Sequence, residues 1–118
     1  MHELSIVSSL LEVAVDQAQQ HQAVGIKRIH CRIGCLRQVD RNLLRQAFEL
    51  ARQSTLAKDA TLEVVHVGMH LRCRECAHEV DLNGWQFECP ACASTDVDLG
   101  GGDELELTSM ELEVPDEH

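Results

Sequence analysis

Leu4, Val7, Leu11, Ala14 and Ala18 recur at helical spacing with Leu10 beside them, while Ser5, Ser8, Glu12, Asp16 and Gln19 take the opposite side. Residues three and four apart share a helix face, so the pattern predicts an amphipathic helix over 4–20. Polar residues and Gly25 then read as a turn. Ile29, Cys31 and Ile33 alternate with Arg28, His30 and Arg32, which predicts a half-buried strand over 26–33, broken by Gly34. Leu43, Leu44, Ala47, Phe48 and Ala51 predict a second helix over 41–54. Asp40 stands just before it, where a carboxylate caps free N–H groups and meets the positive end of the helix dipole.

A second strand is predicted over 61–71, but its phase changes. Leu62 and Val64 share one phase; Val65, Val67, Met69 and Leu71 take the other, with Gly68 among them. A bulge or a change of environment would account for this. The glycines of 99–103 read as a flexible exit, and a last strand is predicted over 104–114, with Pro115 ending it.

Between these strands lie Cys73-Arg-Glu-Cys76, twelve residues, and Cys89-Pro-Ala-Cys92. Two such pairs can fold as two knuckles and close four thiolates round one ion. Tetrahedral Zn(II) suits a sulfur-only set, and four sulfurs leave no position for a catalytic water. The spacing therefore predicts a structural zinc site rather than a hydrolase. Two disulfides are the other reading, set aside because nothing suggests secretion.

The resulting order is helix, strand, helix, strand, cysteine lobe, strand. The fold class expected is α+β: two helices packed on a small sheet of about three strands, with an inserted zinc-ribbon lobe. In domains this is 1–70 plus 100–118 for the α+β part, and 71–99 for the ribbon.

Charge and composition narrow the partners. The 118 residues hold ten basic and twenty acidic side chains, a net charge of −10. Zinc ribbons often bind nucleic acid, but phosphates would repel this chain, which has no basic stripe. Aromatics are Phe48, Trp85 and Phe87 only, so no base-stacking platform is visible. No apolar run approaches the ~18 residues of a membrane span. The chain reads as cytoplasmic, with neither nucleic acid nor membrane as partner, and as a monomer or weak homodimer.

Smaller signals remain. Cys31 falls in the apolar phase and reads as a buried thiol, and Cys35 sits at the strand break. His66, His70 and His78 read as facing solvent, although His78, two residues past Cys76, could substitute for a thiolate or sense pH. The acidic residues of 103–117 read as the wet face of an edge strand. The opening Met1-His2-Glu3 offers an amine, amides and an imidazole, a nitrogen-rich planar set that Ni(II) or Cu(II) favours. The bland reading is a solvated His2, with Glu3 favouring the start of the first helix.

Taken together, the chain resembles the HypA/HybF family of nickel metallochaperones over essentially its whole length. The resemblance rests on Met1-His2-Glu3-Leu4-Ser5, Ile33-Gly34-x-Leu36 and Leu44-x-x-Ala47-Phe48-Glu49. It rests also on the quartet Cys73, Cys76, Cys89, Cys92 and on Ser109-x-Glu111-x-Glu113. It implies no enzyme activity but transfer of Ni(II) as cargo. His2 would be the principal ligand, the Met1 amine and the backbone nitrogens of His2 and Glu3 would complete the set, and Asp40 is a further candidate. The four cysteines would hold structural Zn(II). The implied partners are the nickel-handling GTPase HypB and the hydrogenase large subunit. Urease is a client in some relatives, but histidines found shortly after the last cysteine in those are missing here. Ala93 stands where glycine is common, and Cys35 where a non-thiol is common. The alternative function is a zinc-ribbon docking module without nickel chemistry.

Overall fold

The computed structural model describes residues 2–82 and 87–115. Met1 and Trp85 lie outside them. The elements run α1 His2–Gln20, β1 Gly25–Gly34, a 3-10 turn Cys35–Arg37, α2 Arg41–Ala51, β2 Thr61–Val67, β3 Met69–Cys73, β4 Glu79–Leu82, β5 Val97–Gly101 and β6 Leu105–Glu113. They form two three-stranded sheets, ordered β2-β1-β6 and β4-β3-β5. The chain divides into two compact units, one of 1–31, 39–65 and 106–118, the other of 32–38 and 66–105.

The first unit is the predicted helices-on-sheet layer. Val7, Leu10 and Leu11 of α1, Phe48 of α2, Ile29 of β1 and Leu62 of β2 converge round one small apolar void. Each such side chain, fully buried, contributes about 1.5–3 kcal/mol. α1 ends at Gln20, as the pattern predicts, while the end of α2 departs from expectation. α1 is stopped by Gln22, at φ 59°, with the Ala23 N–H donating to Ala18 C=O. That is a left-handed cap filled by glutamine, and Gly25 opens β1 instead. α2 stops at Ala51 rather than Ser54, because Arg52 to Ala60 form successive turns held by Thr55 N–H to Arg52 C=O and Ala60 N–H to Ala57 C=O.

Asp40 caps α2 as its position predicted: its Oδ1 accepts from Asn42 N–H (2.9 Å) and Leu43 N–H (3.0 Å). On the sheet's wet face Arg28 reaches Glu63 of β2 (3.5 Å) and Glu111 of β6 (3.3 Å). Such half-exposed pairs fix register more than they stabilise. The edge position of β6 accounts for its acidic outer face.

The phase change in 61–71 is a change of sheet. β2 ends at Val67, and β3 begins after Gly68 as the centre of the second sheet. The glycine run is strand in its first part rather than a loop. Val97–Gly101 is β5, paired antiparallel with β3 from Met69↔Gly101 to Cys73↔Val97. Strand pairing needs only backbone groups, so a glycine can join a ladder although it gives no hydrophobic signal. Gly101 and Gly102 hold φ of 74° and 86°, and a Cβ on Gly102 would lie 2.9 Å from Met69 and 3.0 Å from Leu36. β4 (Glu79–Leu82) was not anticipated; it pairs with β3 on the other side.

Candidate metal centres

The cysteine lobe has almost no core of its own. Among the described residues of its sheet and turns Met69, Leu71, Cys73 and Cys89 are the buried side chains, with Val80, Leu82, Val97 and Leu99 partly buried against the last three. The quartet therefore sits where a larger domain would put side-chain packing.

Two matching turns present the sulfurs. Cys73 N–H donates to His78 C=O (2.8 Å) and Ala77 N–H to Cys73 C=O (3.1 Å); Cys89 N–H donates to Ser94 C=O (2.8 Å) and Ala93 N–H to Cys89 C=O (2.8 Å). In each turn an N–H points at the first sulfur: Cys76 N–H to Cys73 Sγ and Ala91 N–H to Cys89 Sγ, both 3.4 Å. Such bonds favour thiolate. Arg74 steadies the first turn by pairing with Asp96 (3.1 Å) and Asp98 at β5.

The four sulfurs lie within 4.8 Å of one another. Cys73–Cys92 and Cys76–Cys89 are 3.6 and 3.5 Å apart, and none of the six cysteines is in a disulfide. A regular tetrahedron with Zn–S arms of about 2.3 Å has edges of about 3.8 Å, so the set fits Zn(II) with small adjustment. Protons do not fit it evenly. The Cys76 N–H, ahead of other contacts, lowers the Cys73 thiol to about 7. The Ser94 N–H pulls Cys92 down, but desolvation and the three neighbouring sulfurs outweigh it and push that thiol up to about 12. Four thiolates cannot coexist so close without a cation to neutralise them.

Both turns depend on a left-handed alanine, Ala77 at φ 62° and Ala93 at 63°. That region costs a non-glycine residue about 1–2 kcal/mol. Glycine loses more entropy on folding, so Ala93→Gly is expected to stabilise the zinc-loaded lobe by a net of about 0.5–1 kcal/mol. Urea unfolding followed by amide spectra checks this; a lower midpoint would contradict it.

His78 sets its turn through its carbonyl, and its exposed side chain does not join the quartet. The other lobe histidine that matters was read only as solvent-facing. His70 does face solvent, but Nδ1 lies 2.9 Å from Asp81 and Nε2 3.3 Å from Glu79. The alternation of β3 and β4 held this signal once their register, His70↔Asp81, was known. The Asp81 and then the Glu79 hydrogen bonds raise its pKa above the ordinary value. A raised folded pKa gives a contribution complete below the unfolded pKa of about 6.5 and lost as pH rises through the folded value. The denaturation midpoint of wild type should therefore exceed that of His70→Gln more at about pH 6 than at about pH 8. An unchanged difference would count against it.

The amino-terminal corner is built differently. Glu3 lies in the first turn of α1, and its Oε2 accepts the Asp40 N–H at 3.1 Å. That bond, then Glu3's own N–H and the nearby His2, hold its carboxyl below the usual range. Glu3 and Asp40 meet at one end, while Val15 and Gln19 share a groove with Ala51 and Thr55 at the other. The helices thus run parallel, with both positive ends at this corner. His2 is exposed at the start of α1. The first N–H groups of a helix lack intrahelical acceptors, so the amides of His2 and Glu3 are not committed to the helix ladder. Among the described residues, His2, Glu3 and Asp40 do not converge as a ligand cluster; the cysteine quartet alone does. Met1, whose amine the resemblance invokes, lies outside them. Cys31 is buried in β1, its thiol pushed up to about 11 by burial, and neither it nor half-buried Cys35 joins the quartet.

Fold and sulfur cage together define an α+β metal-binding protein with a zinc-ribbon-like lobe. The family described as hydrogenase/urease nickel incorporation metallochaperone, hypA, matches residues 1–112. The hydrogenase maturation factor HypA of Helicobacter hepaticus is 35% identical over 97% of this chain and 98% of its own. The hydrogenase/urease maturation factor HypA of Helicobacter pylori is 36% identical over 95% and 97%. The solution structure of the Ni metallochaperone HypA from Helicobacter pylori superposes with a TM-score of 0.66 at 35% identity, covering 98% of this chain and 100% of that one. The chain belongs to the HypA family of nickel metallochaperones for hydrogenase and urease maturation. Among the described residues no helix is long and apolar enough to cross a membrane.

Proposed function

We propose that this chain binds Ni(II) at its amino terminus and passes it to a [NiFe]-hydrogenase precursor, in the cytoplasm, without catalysing a reaction. Nickel handling is assigned to the helical unit, and Cys73, Cys76, Cys89 and Cys92 are assigned to structural Zn(II). The observation that carries the reading is the corner where Glu3 is tied to Asp40. That tie holds the start of α1 against the start of α2, and His2 and Glu3 stand at that helix start. Their amides and the His2 imidazole, with the Met1 amine, would make a nitrogen set of the kind Ni(II) accepts in a plane. Glu3 acts here by positioning, since one carboxylate oxygen is engaged. Asp40 is the weaker ligand candidate, because its Oδ1 already accepts two N–H groups.

A site of this kind suits a carrier. It is exposed and uses few side chains, so a client offering more ligands can strip the metal. The GTPase HypB and the hydrogenase large subunit are the partners that family membership suggests. Binding requires loss of protons from amine and amides, so nickel affinity should fall on acidification.

The test is a nickel titration of tag-free, zinc-loaded protein beginning at Met1, beside His2→Ala. The expected result is one Ni(II) per chain with the absorption of planar nickel, lost in His2→Ala while zinc is retained. Equal binding by both proteins would remove His2 from the site. Binding by neither would leave a zinc-ribbon docking module without nickel chemistry.

A further inference from the structure

The two helices of the first unit leave a groove between them. Leu11, Glu12, Val15 and Asp16 of α1 line one wall, and Ala51 and Thr55 the other, round a volume of about 500 Å³. It extends along residues 8–19, about 16 Å or three helical turns. The walls differ in chemistry. The α1 wall is acidic, with Glu12 and Asp16 one turn apart. On α2 the row next to Ala51 by helical spacing is apolar: Leu43, Ala47 and Leu50 recur at i, i+4 and i+7, and Leu43 and Leu50 are 49% and 67% exposed. By the same spacing Arg41, Arg45 and Arg52 lie on the opposite flank of α2. Two large leucines left in water on the helix that supplies Ala51 to the groove mark an interaction surface rather than a core.

We propose that this groove docks an amphipathic helix of a partner protein, one carrying large apolar residues at i, i+4 and i+7 with Lys or Arg along one edge. The apolar row would cover Leu43, Leu50 and the floor at Leu11, Val15 and Ala51. The basic edge would meet Glu12 and Asp16. A helix fits better than a strand because neither wall offers a strand edge: α1 spends its backbone groups internally and Thr55 N–H is bonded to Arg52 C=O, so recognition must come from side chains. An acidic helix would be repelled by the α1 wall, which sets the sign of the partner. The groove runs from Ser8 to Gln19, so a docked helix would lie along the same helix whose start carries His2. The proposal rests on the metallochaperone reading in one respect, that the chain works by docking on another protein.

The probe is a synthetic 14-residue helical peptide with leucines in that row and lysines on one edge, beside a twin with glutamates for the lysines. Each is titrated into full-length zinc-loaded protein, read by fluorescence anisotropy and amide chemical shifts. The expected result is that the lysine peptide shifts amides of 8–19 and 43–55. Its affinity should fall at least tenfold in Leu43→Ser/Leu50→Ser and severalfold in Glu12→Gln/Asp16→Gln, while the glutamate twin does not bind. Shifts spread over the acidic faces of β4 to β6, or equal affinity in the leucine variant, would mean unspecific charge attraction and overturn the proposal. So would concentration-dependent dimerisation of the free protein through the same amides, which would make a second copy the occupant. Nickel titration of the same samples separates the two ideas: loss of nickel binding in wild type would sink the carrier reading without altering the groove result.

Discussion

Removal of zinc by a chelator, or Cys89→Ser, is expected to unfold the cysteine lobe while α1 and α2 persist. Of the four buried side chains among the described residues of its sheet and turns, two belong to the quartet, so without metal the core reduces to Met69, Leu71 and four half-buried aliphatics. Strands of four and five residues cannot hold a sheet on that little burial. Structural zinc sites in small peptides bind with an apparent ~10–16 kcal/mol at neutral pH, and that free energy is folding free energy. Amide spectra should show collapse of dispersion for 69–101 with retention for 3–20 and 41–51. Far-UV circular dichroism should keep most helical signal. A lobe that stays dispersed after chelation would show that the quartet is not its staple. Cys31→Ser and Cys35→Ser should leave zinc stoichiometry unchanged, because neither sulfur joins the cluster.

Gly34→Ala is expected to be strongly destabilising. Gly34 has an ordinary extended conformation, φ −78° and ψ 152°, so backbone freedom is not why glycine stands there. Space is the reason. A Cβ would lie 2.1 Å from the carbonyl oxygen of Gly102 and 2.2 Å from its carbon, both backbone atoms that no rotamer change can move. The segment carrying Gly102 would have to leave. That breaks Gly34 N–H to Glu104 C=O (2.8 Å) and Leu36 N–H to Gly102 C=O (2.7 Å), and loosens Arg37 Nε to Asp103 C=O (3.0 Å). Overpacking costs about 1–3 kcal/mol and each lost bond about 0.5–1.5 kcal/mol, so a loss of about 3 kcal/mol or more is expected. Urea unfolding of zinc-loaded protein measures it. Gly100→Ala is the control: a Cβ there meets nothing within 4 Å, and its effect should be small. Equal stability in the two variants would refute the steric account.

Much of this fold was legible because the signals were local. Apolar residues three and four apart marked α1, alternation at Ile29, Cys31 and Ile33 marked β1, and Asp40 marked the start of α2 by its capping chemistry. The sulfur quartet was legible because ligand spacing within each Cys-x-x-Cys pair is itself a local rule. What failed had no local side-chain signal. β5 contains glycines and reads as a loop, yet its backbone completes a ladder on β3. The left-handed position after α1 falls on Gln22, while Gly25, which reads as part of the turn, opens β1. The end of 61–71 was read as one strand because a crossing from one sheet to another leaves only a phase change behind.

Sequence by itself determined the class of fold, the four sulfur positions and family membership, since these follow from side-chain type and spacing along the chain. Tertiary structure alone decided which distant residues meet. It put the Asp40 amide on the Glu3 carboxylate, 37 residues away, and so set two helix starts side by side at His2. It drew residues 32–38 into the same compact unit as the cysteine lobe, through a glycine that leaves room for a carbonyl. It set His70 opposite Asp81 and left Leu43 and Leu50 in solvent beside an acidic wall. Such pairings depend on sheet order, register and helix placement, which arise from the packing of the whole chain and which no window of neighbouring residues encodes.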